Sequence, residues 1–568
     1  MMKYLKKTAQ FFTRPQHLVI FLVMALALPN IVLAYTEQMT VTARMANIVL
    51  PVSVYLLLAV AVRRTGRAVW MLFPLIFFAA FQTVLLYLYG RSVIAVDMFL
   101  NLVTTNAGEA LELLDNLIPA VAAVVIIYLP LLVAGTAVAI RGTRIGETFR
   151  RKALHTGFAG AVVGLLLTGI CRATDTTYRV SDQMYPVNVV YNLCLAVNRT
   201  HDTAHHDELA AHFSFGAHAT HPADSVETYV LVIGETARAM EFSAYGYTRD
   251  TSPWLRTDKG VTRFTHVLSQ SNTTHKSVPM LLSAVSAADF DSLPQQRGLI
   301  TAFREAGFYT VFLSNQRRNH SYIDFFGEEA DECHFIKDGL PEDSCVYDGI
   351  LLEGLQHTLG SHHRKLLVVL HTYGEHFNYR ERYPSSAALY LPDSPAEARP
   401  VNRPFLTAAY DNAIAYTDRL LQGIATLLRS HGGLSAMLYT ADHGENIYDD
   451  SRQLFLHASP IPSYYELHVP FAVWTSDVYR HTFPDINAAL RRNADAQVQS
   501  SVSTFHTLLH LAGITTPRLQ SDKSVASTAY RCGPRRYLND HNEAVTLHRA
   551  GFTTADFSML KKWGITGE

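Results

Sequence analysis

Long apolar stretches are confined to the first third of the chain. Five of them are long enough to cross the hydrocarbon core of a bilayer, which takes about 20 residues. They lie near residues 17–35, 45–62, 68–89, 117–140 and 154–170. The pattern predicts an N-terminal transmembrane domain of five helices over residues 1–171.

Basic residues flank these stretches on alternate sides. The alternate loops carry only Arg44 and Arg91. Because cytoplasmic loops are rich in Lys and Arg, the N terminus is predicted to be cytoplasmic, and five crossings put the rest of the chain outside. The basic clusters are Lys3, Lys6, Lys7 and Arg14; Arg63, Arg64 and Arg67; Arg141, Arg144, Arg150, Arg151 and Lys152.

The segment between the third and fourth stretches, "DMFLNLVTTNAGEALELLDN", has apolar residues at roughly helical spacing. It fits an amphipathic helix at the outer membrane interface and a solvated helix cap about equally well. In the first case, Asn106 and Glu109 would face a lipid headgroup. Residues 172–227 then become polar and irregular, and their histidine-rich stretch favours a solvated linker over a metal-binding tract.

From residue 228 to the end, short apolar runs alternate with helical patterns. The runs include "TYVLVIG", "YTVFLS", "KLLVVLHT", "SAMLYTAD" and "VPFAVWTS". Such strands are buried on both faces of a mostly parallel sheet, so residues 228–568 are predicted to form an α/β domain. Ligands of these sheets bind where the strands' carboxyl ends meet their loops.

Candidate ligands follow two of these runs. Glu235 comes directly after "LVIG", and Asp442 with His443 comes after "MLYTA". Taken alone, Glu235 could equally be a helix N-terminal acid, and Asp-His-Gly is a weak motif. A mixed carboxylate and imidazole set favours zinc or manganese over magnesium.

A nucleophile is predicted in the Ser/Thr-rich stretch before "SVPMLLS", where a helix begins. A hydroxyl near both a cation and a helix N terminus ionises more easily. The residues themselves leave five candidates nearly interchangeable: Ser269, Ser271, Thr273, Thr274 and Ser277.

Several motifs in this order resemble the phosphoethanolamine transferases of Gram-negative bacteria, members of the alkaline phosphatase and sulfatase superfamily. They are "LVIGETARAMEFSAYGYTRDTSP", "THKSVPMLLS", "HTYGEHFNYRERYP", "AAYDNAIAYTD" and "YTADHGENIYD" followed by "LFLHASP". The lipid A enzymes, including those that confer polymyxin resistance, are a similar branch of this family. The resemblance covers nearly the whole chain and implies a sulfatase-like catalytic domain.

The resemblance assigns roles to particular residues. It implies that Thr274 is the nucleophile and, with Glu235, Asp442 and His443, a ligand of one catalytic zinc. His376 and His457 match histidines that bind substrate, act in proton transfer or hold a second zinc, and His371 matches a further motif position. Asn106 and Glu109 match residues associated with the lipid donor.

The implied reaction moves phosphoethanolamine from phosphatidylethanolamine to lipid A phosphate through a covalent threonine intermediate. Kdo, heptose or another periplasmic glycan are alternative acceptors within lipopolysaccharide or beyond it. The implied location is the bacterial inner membrane, crossed several times, with a periplasmic catalytic domain. Resistance to polymyxin is a further expectation, because a modified lipid A phosphate carries less negative charge.

Cysteine positions differ from those of the resistance-type relatives. Those relatives have a cysteine on each side of the nucleophile segment, where this chain has Gln270 and Met280. Cys333 and Cys345 are predicted to close a short disulfide loop, and the pairing of Cys171, Cys194 and Cys532 stays open.

Composition limits the remaining function classes. The 568 residues are 49% hydrophobic and 17% charged, with a net charge of −1, so no nucleic-acid partner is expected. Two other hypotheses remain beside phosphoethanolamine transfer. One is a phosphoglycerol transferase or sulfatase-like hydrolase with the same site, and the other is a catalytically silent membrane sensor or scaffold.

Overall fold

The computed structural model describes residues 13–37, 39–89, 93–104, 118–175, 178–341 and 344–567. The described residues up to 198, apart from 100–104, form one compact unit. Residues 100–104 together with those from 199 onward form the second unit.

The first unit is helical, and four of its helices are each long and apolar enough to cross a membrane. A shorter pair, Thr65–Met71 and the helix that follows it, bends by 60° at its break and would make a fifth crossing if it counts as one. The helices of the N-terminal region are Pro15–Thr36, Val41–Ala61, Thr65–Met71, Phe73–Tyr89, Val96–Thr104, Ile118–Ile140, Glu147–Thr174, Val180–Gln183 and Val187–Ala204.

Small residues let two of these helices approach closely. A Cβ on Gly164 would lie 2.6 Å from Cβ of Leu50, and one on Gly160 would lie 2.3 Å from Oγ of Ser53. Membrane helices lack a hydrophobic driving force between them, so van der Waals contact of this kind holds them together. Asn30 adds a buried polar link, because its amide donates to the carbonyl oxygens of Asn47 and Tyr185.

A seven-stranded sheet forms the centre of the second unit. In chain order the strands are Glu227–Gly234 (β1), Val261–Arg263 (β2), Tyr309–Ser314 (β3), Glu332–Phe335 (β4), Lys365–His371 (β5), Leu434–Ala441 (β6) and Phe471–Thr475 (β7). Their order in the sheet is β2-β7-β6-β1-β5-β3-β4; the five strands from β6 to β4 are parallel, and β7 runs antiparallel to both β6 and β2. The mostly parallel sheet predicted from the apolar runs is confirmed.

Every residue of β1 and of β5 is buried, which explains why both read as unbroken apolar runs rather than alternating ones. Because β1, β3, β5 and β6 are parallel, their carboxyl ends meet at one edge of the sheet. The helices of this unit are His206–Leu209, Pro253–Thr257, Thr274–Leu281, Leu299–Glu305, Tyr322–Gly327, Ile350–Leu359, Arg403–His431, Tyr464–Leu467, Asp477–Thr482, Pro484–Arg492, Ser500–Leu511 and Thr554–Lys562.

The predicted linker contains regular structure. Within residues 172–227, His201 lies in the helix Val187–Ala204 and His205 directly follows that helix, and the two rings stack at 4.2 Å. His206 is fully buried, and its Nδ1 lies 3.0 Å from the carbonyl oxygen of Pro294. This histidine therefore anchors the start of the second unit to its core.

The predicted disulfide between Cys333 and Cys345 is wrong. All five cysteines lie in the described part of the chain, and all five are free thiols. Cys333 belongs to β4, whereas the Cys345 thiol points to the carbonyl oxygen of Glu381 at 3.4 Å.

Candidate metal centre and nucleophile

Glu235 is the first residue after β1 and is 1% exposed. Its two carboxylate oxygens have different partners. Oε1 accepts a hydrogen bond from Oγ1 of Thr274 at 3.0 Å, and Oε2 accepts one from Nε2 of Gln316 at 3.2 Å. One oxygen therefore faces the hydroxyl, while the other is tied to the loop that follows β3, two strands away in the sheet.

Asp442 and His443 form the turn after β6. Oδ1 of Asp442 accepts from the backbone amides of Thr236 at 3.1 Å and His443 at 2.7 Å, which leaves Oδ2 at 3.2 Å from Nε2 of His443. Nδ1 of His443 lies 2.9 Å from the Gly444 carbonyl oxygen. With the ring proton on Nδ1, the Nε2 lone pair faces the site.

Close backbone packing explains why a glycine, Gly444, follows Asp442 and His443. A Cβ on Gly444 would lie 2.2 Å from the carbonyl oxygen of Tyr465, closer than any side chain can approach. The Gly444 amide also donates to the Glu466 carbonyl oxygen at 2.7 Å. Glycine at this position therefore allows the close backbone approach that fixes the Asp442–His443 turn.

Thr274 is the first residue of the helix Thr274–Leu281. Its Oγ1 lies 3.0 Å from Oε1 of Glu235 and 3.1 Å from Nε2 of His443. Of the five hydroxyls left open by the sequence, Thr274 contacts two of the three other predicted ligands, Glu235 and His443. Ser277 donates to Asp442 Oδ2 at 3.4 Å, and Ser269 donates to the Asp442 carbonyl oxygen at 2.6 Å, so these two support the turn instead.

Two histidines lie beside this cluster. The His457 ring is 4.3 Å from the His443 ring, and its Nδ1 is 3.1 Å from Oε1 of Glu445. The His376 ring is 6.1 Å from that of His457, and its Nδ1 is 2.7 Å from the Phe377 carbonyl oxygen. Asn106 and Glu109 lie outside the described residues.

The buried carboxylates of the site lack a compensating cation. Within the described chain, no lysine or arginine forms an ion pair with Glu235 or Asp442. Burial and the charge of Asp442 raise the pKa of Glu235 well above its usual range, and burial raises the pKa of Asp442 to about 7. Burial holds the pKa of His443 well below its ordinary value. These shifts describe a site that a bound cation would stabilise.

The donor chemistry fits such a cation. Glu235, His443 and His457 offer ligand atoms that lie within 4.8 Å of one another, and among the described residues they form the group of three that meets this distance. Asp442 adds a second carboxylate next to His443. Carboxylate oxygens combined with imidazole nitrogens match the preferences of zinc.

Gln316 belongs to the site but was not among the predicted residues. It is the second residue after β3, and its amide nitrogen lies 3.2 Å from Glu235 Oε2, 3.0 Å from the Thr372 carbonyl oxygen and 3.2 Å from Nε2 of His371. Its signal was its position after the run "YTVFLS". His371, at the end of β5, is buried, and burial lowers its pKa to about 4, so it acts as a neutral acceptor beside Gln316.

Gly374 packs against the backbone of Glu235. It has a φ of 53°, and a Cβ there would lie 2.7 Å from the backbone oxygen of Glu235. Asp348 fixes this turn by accepting from the backbone amides of Tyr373 and Gly374, each at 2.8 Å. The segment that carries His376 is therefore clamped against Glu235.

Gln270 has a structural role beside the nucleophile segment. It is 2% exposed; its Oε1 accepts from the Ala287 amide at 3.1 Å, and its Nε2 donates to Gln499 Oε1 at 3.0 Å. These bonds tie the residues before Thr274 to those after its helix. Hydrogen bonds thus bridge the nucleophile segment here.

Comparison with known proteins shows the family to which the chain belongs. The sequence profile described as "Sulfatase" matches residues 227–514, which is more than half of the chain. The chain belongs to the sulfatase family. The family match covers all seven strands of the central sheet, together with Glu235, Thr274, Asp442 and His443.

Curated relatives of this sulfatase-family chain include phosphoethanolamine transferases of Escherichia coli. EptA is 28% identical over 310 residues, 53% of this chain and 56% of the relative. EptC is 25% identical over 315 residues, 54% of each chain. The resemblance to phosphoethanolamine transferases is confirmed. The chain spans about half the length of the curated relatives it matches.

Two solved structures support the fold. The integral membrane protein lipooligosaccharide phosphoethanolamine transferase A of Neisseria meningitidis matches with a TM-score of 0.70 at 20% identity, covering 89% of this chain and 97% of that one. The periplasmic domain of EptC from Escherichia coli, a zinc complex, matches with a TM-score of 0.54 at 23% identity, over 60% of this chain and 97% of that one. The predicted combination of membrane helices with a sulfatase-like domain is confirmed.

Proposed function

We propose that this sulfatase-family protein transfers phosphoethanolamine from phosphatidylethanolamine to lipopolysaccharide, with a lipid A phosphate as the acceptor. The main observation in support of this proposal is that the Thr274 hydroxyl contacts both Glu235, at 3.0 Å, and His443, at 3.1 Å. A hydroxyl held between a carboxylate and a neutral imidazole is an activated nucleophile. The relatives named phosphoethanolamine transferase, including the Kdo(2)-lipid A phosphoethanolamine 7''-transferase of Salmonella typhimurium, support the choice of transferred group.

The residues present suit two successive displacements at one phosphorus. Thr274 Oγ1 gives its proton to a neighbouring acceptor and attacks the donor phosphorus, and the bond to the diacylglycerol oxygen breaks as that oxygen takes up a proton. The phosphoethanolamine group is then esterified to Thr274. In the second half-reaction an acceptor oxygen attacks the same phosphorus, passes its proton to a neighbouring base, and the Thr274 hydroxyl is restored.

His376 and His457 are proposed to carry out this proton transfer. Glu445 fixes the orientation of the His457 ring through Nδ1 at 3.1 Å, and the Phe377 carbonyl oxygen does the same for His376 at 2.7 Å. In both rings Nδ1 is engaged, so Nε2 remains for substrate. Asn106 and Glu109 are proposed to contact the lipid donor.

One zinc ion is proposed to be held by Glu235, Thr274, Asp442 and His443. Such an ion supplies charge stabilisation for the phosphate oxygens and lowers the pKa of a hydroxyl beside it. The uncompensated burial of Glu235 and Asp442 supports this ligand set. A second zinc beside His376 and His457 is a further proposal.

The same proposal places the protein in the inner membrane of a Gram-negative bacterium, with a periplasmic catalytic domain. Donor and acceptor are both lipids, so a membrane anchor keeps enzyme and substrates on one surface. Four apolar helices, or five with the bent pair, support several crossings. The N terminus is proposed to be cytoplasmic.

The test is mass spectrometry of lipid A and of core oligosaccharide from cells that express the wild type or Thr274→Ala. A phosphoethanolamine increment on lipid A that requires Thr274 is the expected result. A phosphoethanolamine increment on Kdo, heptose or another glycan would show that this sugar, and not lipid A phosphate, is the acceptor. A phosphoglycerol increment, or release of inorganic phosphate or sulfate alone, would replace the proposed reaction. No increment and no release with the wild type would favour a silent sensor.

A further inference from the structure

A pocket of about 320 Å³ lies behind the nucleophile segment and has no part in the site described above. Its walls come from the helix Ser500–Leu511, the turn around Lys523 and the segment from Tyr530 to Arg536. Gln270 and Ser286 close it on the side of the nucleophile. The volume lies at the lower end of the range for small-molecule sites and suits a ligand of one or two rings.

The charge of the pocket is unbalanced. Three basic side chains line it, Lys523, Arg531 and Arg536, against a single acid, Asp522. None of these four charged groups makes a hydrogen bond or an ion pair with another residue in the described part of the chain. Three basic side chains around one cavity, each at least partly exposed, give it a positive potential that attracts an anion. Arginine forks bind carboxylate and phosphate oxygens through paired hydrogen bonds.

The remaining walls suit a sugar. The ring of Tyr530 lines the pocket while its hydroxyl donates to the Gln497 carbonyl oxygen at 2.8 Å, so the ring position is fixed. Ser286 and Ser503 also line the pocket and supply hydroxyl groups. An aromatic face combined with hydroxyls and basic side chains fits the apolar face, hydroxyls and anionic group of a charged saccharide.

We propose that this pocket binds an anionic sugar, whose phosphate or carboxylate is held by Lys523, Arg531 and Arg536. Its role as an acceptor subsite rests on the proposed function. The wall residue Gln270 supports that role, because it lies four residues before Thr274 and its hydrogen bonds to Ala287 and Gln499 connect the pocket wall to the nucleophile segment.

Binding is tested on the full-length protein in detergent with three probes of similar size: glucose 1-phosphate, glucuronic acid and neutral glucose. We expect an anionic probe to bind at least about 10-fold more tightly than glucose, since charge-assisted hydrogen bonds are worth more than neutral ones. Tighter binding of glucose 1-phosphate points to a phosphorylated acceptor, and tighter binding of glucuronic acid points to a carboxylated one.

The matched variants are the triple change Lys523→Gln, Arg531→Gln and Arg536→Gln, and the control Arg419→Gln, which removes a surface charge on another helix. The triple variant should lose at least about 10-fold in anion affinity, while the control and the thermal midpoints stay unchanged. Equal affinities in the wild type and the triple variant would overturn the proposal.

A kinetic measurement separates this proposal from the proposed function. In the triple variant, diacylglycerol release without acceptor should stay at the wild-type rate, whereas the KM for the acceptor should rise about 10-fold. If the triple variant transfers phosphoethanolamine with an unchanged KM for the acceptor, the pocket is not an acceptor subsite, and the proposed function stands. If the wild type binds anionic sugars in preference to glucose but transfers no phosphoethanolamine, the proposed function is wrong and the sugar-binding pocket stands.

Discussion

The two ends of strand β1 carry buried glutamates that are held in opposite ways. Glu227, at its start, is fully buried, and its carboxylate meets His221 at 2.8 Å, Lys365 at 3.2 Å and the Tyr229 hydroxyl at 2.9 Å. Glu235, just beyond its end, is equally buried but meets Thr274, Gln316 and the neighbouring carboxylate Asp442.

Their pKa values differ accordingly. Burial acts to raise the pKa of Glu227, but the hydrogen bonds of His221, Ser225 and Tyr229 outweigh it and lower the value to about 2. Burial and Asp442 raise the pKa of Glu235 well above its usual range. A carboxylate that is fully paired contributes to stability, whereas one left without a cation costs free energy unless a ligand supplies the charge. Burial alone therefore does not distinguish a structural acid from a functional one.

The largest expected effect comes from Glu235→Gln, which keeps the shape and removes the charge. Zinc bound to purified protein should fall to near zero, and phosphoethanolamine transfer should fall by more than about 100-fold, above the usual cost of losing an outer-shell partner of a ligand. The metal-free variant should melt at a higher temperature than the metal-free wild type at pH 7, because a buried uncompensated carboxylate is gone.

Metal analysis by mass spectrometry and thermal melts in the presence of chelator measure both effects. The matched control is Glu227→Gln, which should retain its zinc. Full zinc content in Glu235→Gln, or a lower melting temperature of its metal-free form, would contradict the contrast between the two glutamates.

The pH dependence of stability should reveal the other end of the strand. The folded-state pKa of Glu227, about 2, lies below its ordinary value of 4.5. Its contribution is therefore complete above pH 4.5 and is lost as the pH falls from 4.5 to 2, about 3 kcal/mol in all. The Glu227→Gln variant should be less stable than the wild type by a similar amount at pH 7.

Denaturant unfolding of both proteins at pH 7, 5 and 3, with chelator throughout, measures this. The difference between wild type and variant should shrink on acidification, since only the wild type loses the Glu227 contribution. A difference that stays constant from pH 7 to pH 3 would contradict this, because it would show that Glu227 has the same pKa in the folded and the unfolded protein.

Much of the sheet and of the candidate site could be predicted from the sequence. The buried apolar runs gave the sheet, and the rule that parallel strands gather their carboxyl ends at one edge brought Glu235, Asp442 and His443 together. The choice of Thr274 among five hydroxyls needed either the family resemblance or the coordinates. Helical phase alone does not show which oxygen of a Ser/Thr-rich turn faces a ligand.

Other features depended on contacts that no local pattern contains. The disulfide between Cys333 and Cys345 was predicted from spacing, but spacing does not orient side chains, and the Cys345 thiol turns to Glu381. The role of Gly374 comes from its packing against Glu235, 139 residues earlier in the chain. Gln316 also follows a strand, but that position was a weak signal, because a glutamine after a strand has many structural uses.

The smallest expected effect tests Gln316, which touches Glu235 on the oxygen away from Thr274. Its amide donates to Glu235 Oε2 at 3.2 Å and to the Thr372 carbonyl oxygen at 3.0 Å, so it fixes which carboxylate oxygen faces the nucleophile. Gln316→Leu should lower zinc affinity and kcat/KM by about 10-fold each, the lower end of the range for outer-shell partners.

Competition with a zinc chelator measures the affinity, and a merely structural role would leave that affinity unchanged. Gln422→Leu, an exposed glutamine on the helix Arg403–His431, is the control for the same change in side-chain chemistry. If Gln316→Leu lowers the melting temperature but binds zinc as the wild type does, the amide only supports the sheet edge. If zinc affinity falls while the metal-free melting temperature holds, Glu235 depends on a partner that Glu227 does not need, because only Glu235 must present a single oxygen to a ligand.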